Sequence, residues 1–266
     1  MFFFLPLYDD NPTIRTPVVT YALIALCAIV FLWQLGQDDN VVAYSFGMIP
    51  SVLFGTAALP AKLAVVPPWA TIFTSMFLHG GWLHIGGNML FLWIFGNNVE
   101  DVLGHVRYLL LYLLSGAAAA LGQALTDPSS TVPMVGASGA IAGVLGVYLL
   151  MYPYANVHVL VLLLIFLRII TVPAWILLCL WFGAQLVSGL MSGHGAGVAF
   201  WAHVAGFVAG IVLFMLMRPR GGTLWRPPRS APFAAMPPRR FTDRRTFQGS
   251  VPDSGPPRFR RNNPWG

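Results

Sequence analysis

Charge is what this chain has least of. Asp, Glu, Lys and Arg make up 9% of its 266 residues, against about 25% in an ordinary soluble domain. So few charges cannot cover a water-exposed globular surface, which excludes a soluble enzyme as the body of the molecule. Cysteine is nearly absent too. Cys27 and Cys179 are the only two, both within apolar stretches. A disulfide framework and a zinc-type cysteine spacing are therefore excluded, and both thiols are expected to be buried and structural. A basic n-region is missing as well. Met1–Tyr8 is apolar but runs straight into Asp9, Asp10, Asn11 and Pro12, so no cleavable signal peptide is expected.

Hydrophobic sequence fills the space that charge leaves, at 57% of the chain. A bilayer-spanning helix needs roughly 20 apolar residues, with a range of about 17–25. Six segments fit: about Val18–Leu35, Trp82–Val99, Tyr108–Leu125, Gly136–Tyr152, Val172–Ser188 and Val198–Met217. An all-α membrane protein of six transmembrane helices is the expected fold. The apolar stretch Val157–Ile170 is too short for a span and sits between Pro153 and Pro173. It reads as a buried or interfacial connection. The segment Gly36–Trp69 is a long outer loop between the first two helices, apolar and rich in Pro and Gly.

The net charge of +6 is unevenly spread. Eleven of the fifteen basic residues lie between Arg218 and Arg261. With six spans and both termini cytoplasmic, Arg15, Arg107, Arg168 and that tail all fall inside, and Lys62 alone falls outside. This is a positive-inside pattern, and a seventh span would reverse it for the tail. Three regions follow: 1–17, a cytoplasmic or interfacial segment; 18–217, the helical domain; and 218–266, a basic tail rich in Pro and Arg. The tail has too few aliphatic residues to bury a core and is expected to be disordered. It reads first as a solvated tail that only fixes orientation; a partner, if it has one, is expected to be the anionic lipid surface rather than nucleic acid.

The chemistry lies in four polar residues inside the apolar spans. Counted at about 1.5 Å per residue from the cytoplasmic helix ends, Ser138 lies about 21 Å up, His203 about 22 Å, His84 about 24 Å and Asn88 about 18 Å. Three helices thus bring polar side chains to one depth, where such residues are costly and functional by default. A serine and a histidine are the minimum pair for nucleophilic hydrolysis. His84 and Asn88, four apart on one helix face, present N–H donors to a developing oxyanion. Gly136, Gly139, Gly143 and Gly146 form a bare stripe beside Ser138. Ala202, Gly206 and Gly210 form another beside His203. Small residues at these spacings let two membrane helices pack backbone to backbone.

Rival readings are weaker. His79 and His84 are five apart with no glutamate between them, unlike a two-histidine zinc helix, so neither metal nor cofactor is expected. Gly136-Ala-Ser-Gly-Ala140 is not the nucleophile elbow of soluble hydrolases, because Ala140 replaces the last glycine. That fold needs a parallel sheet, and no strands are expected here. No acidic residue lies within the last three spans, so a full triad is not expected and packing must orient His203. His79, His105, His158 and His194 read mostly as packing residues.

Four motifs occur in order: Phe77-Leu-His-Gly-Gly-Trp-Leu-His-Ile-Gly-Gly-Asn88, Phe95-Gly-Asn-Asn-Val-Glu100, Gly136-Ala-Ser-Gly-Ala140 and Ala202-His-Val-Ala-Gly206. Over about Trp69–Met217 the chain resembles the rhomboid intramembrane serine proteases. The resemblance implies a six-helix bundle and a catalytic dyad of Ser138 and His203. It also implies an oxyanion site made by the Ser138 N–H, His84 and Asn88, with substrates that are transmembrane proteins cut near the outer membrane face. Many such proteins carry an aromatic residue one turn below the serine, stacked on the histidine; here that position is Ala142. Many also have Trp-Arg in the first outer loop, where this chain has Trp69-Ala70. The alternative is a rhomboid-like protein that binds membrane clients without cutting them, but such relatives usually lack one member of the dyad. The oligomeric state is not legible.

Overall fold

The computed structural model describes residues 2–163, 166–191, 199–218 and 224–225. The chain divides into units 1–233 and 234–266, and the second lies outside the described residues. So do most of the basic tail, His194 and Val198.

Ten helices are described. They are α1 (Val18–Gln34), α2 (Asp39–Phe46), α3 (Pro50–Leu53), α4 (Thr71–Thr74), α5 (Trp82–Phe91), α6 (Asn97–Leu103), α7 (His105–Thr126), α8 (Ser138–Met151), α9 (Ala174–Met191) and α10 (Phe200–Met217). Of these, α7, α9 and α10 are long and apolar enough to cross a membrane, while α1 and α8 are apolar but shorter. A π-type turn at Leu92–Gly96 joins α5 to α6. Gly104, at φ 75°, breaks the chain between α6 and α7. The stretch after α1 is not a plain loop, because α2 and α3 occupy part of it. The side chain of Asp38 caps α2 by accepting from the Asn40 and Val41 N–H groups, an acceptor for otherwise orphaned donors.

The all-α expectation needs correction. Strands β1 (Phe2–Asp9), β2 (Asn156–Leu163) and β3 (Phe166–Pro173) form an antiparallel sheet in the order β1-β2-β3. The apolar stretch after Pro153, read as a connection, is thus a β-hairpin, and the amino-terminal segment is its third strand. Val157, Val159 and Val161 alternate with His158 and Leu160, and β-branched residues favour a pleated surface. Val157 and Val159 are buried against the helix ends as part of the main core. His158 points the other way. It is hydrogen-bonded to Asp10 at 2.9 Å and Thr171 at 3.2 Å, and it stacks on Tyr8. The register shifts between Pro6 and Tyr8, where proline cannot donate to the ladder.

Buried carboxylates lock this end of the bundle. Glu100 is fully buried and accepts from the Val19 and Thr20 N–H groups at 2.9 and 2.8 Å and from Thr20 Oγ1 at 2.7 Å. A side chain eighty residues downstream thus caps the first turn of α1, where the helix dipole favours negative charge. His105 Nδ1 closes the set at 2.6 Å. The other end is tied by Gln34, whose amide accepts from the His79 N–H at 3.0 Å and donates to the His79 carbonyl at 3.3 Å. The two thiols part company. Cys27 is buried as expected, whereas Cys179 is exposed, because most of α9 faces outward.

Asp9 lies where the sheet meets the helices, accepting from the Tyr148 hydroxyl and from Asn98 Nδ2 at 3.0 Å. Burial pushes its carboxyl up to about 7 from 3.8, and the Tyr148 bond only partly offsets this. The folded chain therefore holds a proton that the unfolded chain releases. The stability that Asp9 contributes should be fully present below about pH 4 and be lost as pH rises to about 7, by up to about 1.4 kcal/mol per pH unit. Asp9→Asn keeps both acceptor contacts and should abolish that slope. Thermal unfolding in detergent across this pH range checks the expectation, and an unchanged slope would refute it.

Candidate active site

Backbone contact between α8 and α10 sets the site. A Cβ placed on Gly206 would strike the Gly139 carbonyl, and one on Gly210 the Gly143 carbonyl. One on Gly146 would lie 2.6 Å from the Phe207 carbonyl. With no side chains between them, the two helix backbones touch. Ser138 opens α8 and His203 lies in the first turn of α10, so this contact brings the two together. His203 Nε2 is 2.7 Å from Ser138 Oγ.

Gly136 plays a different part from the other glycines of the expected stripe. It precedes α8 at φ 128°, a conformation that L side chains rarely adopt. A Cβ there would lie 2.7 Å from His84 Nε2 and 3.7 Å from Ser138 Oγ. The glycine therefore leaves room for the imidazole beside the serine. Its N–H donates to the Ser75 carbonyl at 2.8 Å, anchoring the turn that leads into Ser138.

His84 and Asn88 enter from α5. The Gly80 N–H donates to His84 Nδ1 at 3.2 Å. Nδ1 is then the acceptor of the neutral ring, and the proton sits on Nε2, the nitrogen beside Gly136. Asn88 is buried, and its Nδ2 has no partner among the described residues. Unspent buried donors are rare and call for an explanation. The first-turn N–H groups of α8, Ser138 included, have no intrahelical acceptor. A cavity of about 400 Å³ collects these groups, with Ser138, His203, His84 and Asn88 on its wall. Ser75, Met76, Ala119 and Ile141 help to line it. His79 lies against His84, with ring centroids 5.2 Å apart. No group of three or more potential metal ligands occurs among those residues.

The support of His203 was not foreseen. Ala142 is fully buried and offers no ring. Helix α9 supplies two partners instead. Trp181 lies with its ring centroid 5.8 Å from that of His203, tilted by 42°, and Gln185 Oε1 is 2.7 Å from Nδ1. Packing alone therefore does not orient the ring. The sequence signal was present, since Gln185 is an amide within an apolar span, four residues after an aromatic.

The sequence profile of the rhomboid domain matches residues 67–220, over half of the chain. This chain belongs to the rhomboid family. Rhomboids similar to it include YdcA of Bacillus subtilis, 33% identical over 151 residues, which cover 53% of this chain and 65% of the relative. Rhomboid protease GluP of Bacillus subtilis is 33% identical over 136 residues, 50% of this chain and 24% of the relative. RHOMBOID-like protein 4 of Arabidopsis thaliana is 32% identical over 179 residues, 65% of this chain and 39% of the relative. The aligned rhomboid region thus spans less than two thirds of each of these relatives.

Gly136 provides a direct test of the geometry. Gly136→Ala forces a side chain into strained backbone and against His84, which should cost about 1–3 kcal/mol and suppress any activity of the site. At Gly86, on the same helix as His84, an added Cβ meets nothing within 4 Å. Gly86→Ala should be neutral or slightly stabilising. Comparing the unfolding temperatures of the two variants checks this; equal losses would contradict it.

Proposed function

We propose that this chain is an intramembrane serine endopeptidase that cuts transmembrane proteins near the outer membrane face through a dyad of Ser138 and His203. The observation that carries the reading is the 2.7 Å contact between His203 Nε2 and Ser138 Oγ, made in a cavity that also presents the donors of His84 and Asn88. Membership of the rhomboid family and the protease named among its relatives support it.

The spans of this reading are α1, α5 continuing into α6, α7, α8, α9 and α10. Both termini, and the basic tail, are cytoplasmic. Helix α8 has 14 residues and is about 21 Å long, short of a hydrocarbon core of about 30 Å. A helix that starts at the cytoplasmic face thus ends below the outer surface, with Ser138 at its tip. The cavity brings water to that depth. The substrates are transmembrane proteins, and lipids form the surroundings.

Catalysis follows from the groups in place. Ser138 Oγ attacks the scissile carbonyl as His203 Nε2 takes its proton. The carbonyl oxygen becomes an oxyanion held by the Ser138 N–H, His84 Nε2–H and Asn88 Nδ2–H. Collapse expels the amine, which leaves with the proton from His203, and a serine ester remains. Water then attacks the ester with His203 again as base, releasing the carboxylate product and restoring Ser138.

A serine-directed phosphonylating probe should label Ser138 in the native protein. Labelling should vanish in Ser138→Ala and fall severely in His203→Ala, with both variants folded. For cleavage of a membrane substrate, the double variant should be little worse than either single one, because the pair acts as a unit. Full-rate labelling of folded His203→Ala would overturn the dyad.

The oxyanion donors act only on the transition state. His84→Ala and Asn88→Ala should each lower kcat by about a hundredfold or more while leaving KM nearly unchanged. A variant that cuts at the native rate would reduce its residue to a structural part.

A further inference from the structure

We propose that Gln185 positions the dyad by fixing the proton of His203 on Nδ1. This deepens the protease reading above and rests on it. A neutral imidazole has one N–H and one lone pair, and only the form with the lone pair on Nε2 can accept the Ser138 proton. The other form would place an N–H against the serine and disarm it.

The geometry selects the working form. Gln185 Oε1 lies 2.7 Å from His203 Nδ1, and an amide oxygen can only accept. Nδ1 must therefore carry the hydrogen, which leaves Nε2 free at 2.7 Å from Ser138 Oγ. Two bonds, one on each side of the ring, then specify one tautomer and one orientation. Trp181, one turn before Gln185 on α9, lies against the imidazole. Among the described residues, Ser138 and His84 are the titratable or nucleophilic neighbours of His203 in the cavity, and neither reaches Nδ1.

Local structure holds Gln185 in place. Leu178 and Gly189 of α9 are buried, and with Trp181 and Gln185 they recur at helical spacing along one face. A Cβ on Gly189 would lie 3.3 Å from the Trp201 ring and 3.4 Å from Phe200 Cβ, so this face meets the start of α10 closely. The polar residue of the seam is aimed at the base two residues beyond Trp201. An amide suits the location. A carboxylate would carry an expensive charge within the membrane, whereas an amide orients the ring without one.

Two measurements test the assignment. In protein labelled with 15N-histidine, His203 is identified by the signal lost in His203→Ala. It should show its proton on Nδ1 in the native chain, a readout independent of activity. In the isosteric Gln185→Met variant that preference should weaken, kcat should fall by about tenfold, and KM should be unchanged. Gln185→Glu restores an acceptor and should recover turnover relative to Gln185→Met. A residue that only fills space predicts the reverse order, with Met tolerated and Glu harmful. Native turnover in Gln185→Met, or an Nε2 proton in the native chain, overturns the proposal. If Gln185→Met fails to fold, the native spectrum and the Glu variant still decide. If the native chain neither labels at Ser138 nor cuts a membrane substrate, the protease reading fails, whereas the tautomer is read separately.

Discussion

Direct backbone contact between two helices is the constraint from which the rest of this structure follows. Inside a bilayer no hydrophobic force drives helices together, because lipid tails are as apolar as leucine, so close packing must do the work. Gly139, Gly143 and Gly146 on α8 face Gly206 and Gly210 on α10, and α7 closes the third side. A Cβ on Gly139 would meet Ala119, and one on Gly143 would meet Ser115. Ser138 stands one residue before the first contact on α8, and His203 stands three before the first on α10. Their separation is thus fixed by backbone rather than by long side chains, whose rotamers would blur it.

The polar groups that enter the core of the bundle are sorted by charge along it. The cavity end holds Ser138, His203, His84, Asn88 and Gln185, which include no carboxylate. The sheet end holds Glu100, Asp9 and Asp10, each hydrogen-bonded. This division follows the cost of burial, since a hydroxyl, amide or imidazole needs one or two partners whereas an ion needs several. Glu100 has them, from two backbone N–H groups, a hydroxyl and an imidazole.

Most of the helical frame was legible in the sequence, because long apolar runs ended by Gly, Pro and polar clusters have few other readings. The sheet was not. In Val157–Ile170 nearly every residue is apolar, so the alternation of period two is hidden, and its pairing strand β1 lies some 150 residues away in sequence. The depth count placed Ser138, His203, His84 and Asn88 together because α5, α8 and α10 run the same way. Counting along helices says nothing about lateral neighbours, so it missed Gln185 on α9 as the partner of His203. It also placed Gly136 in a packing stripe, although a positive φ ahead of the helix serves a different purpose. Such a conformation leaves no mark in composition.

The amino-terminal segment has a consequence for biosynthesis. Its fixed points all come later in the chain: α1 is capped by Glu100, Ile14 and Arg15 donate to Asp101, Asp9 accepts from Asn98 and Tyr148, and β1 pairs with β2. During synthesis, residues 2–20 lack these partners until Glu100 is made. They remain unclosed until the hairpin is complete. This segment is therefore fastened only by residues made after it, and its docking requires α6, α8 and the hairpin to be in place.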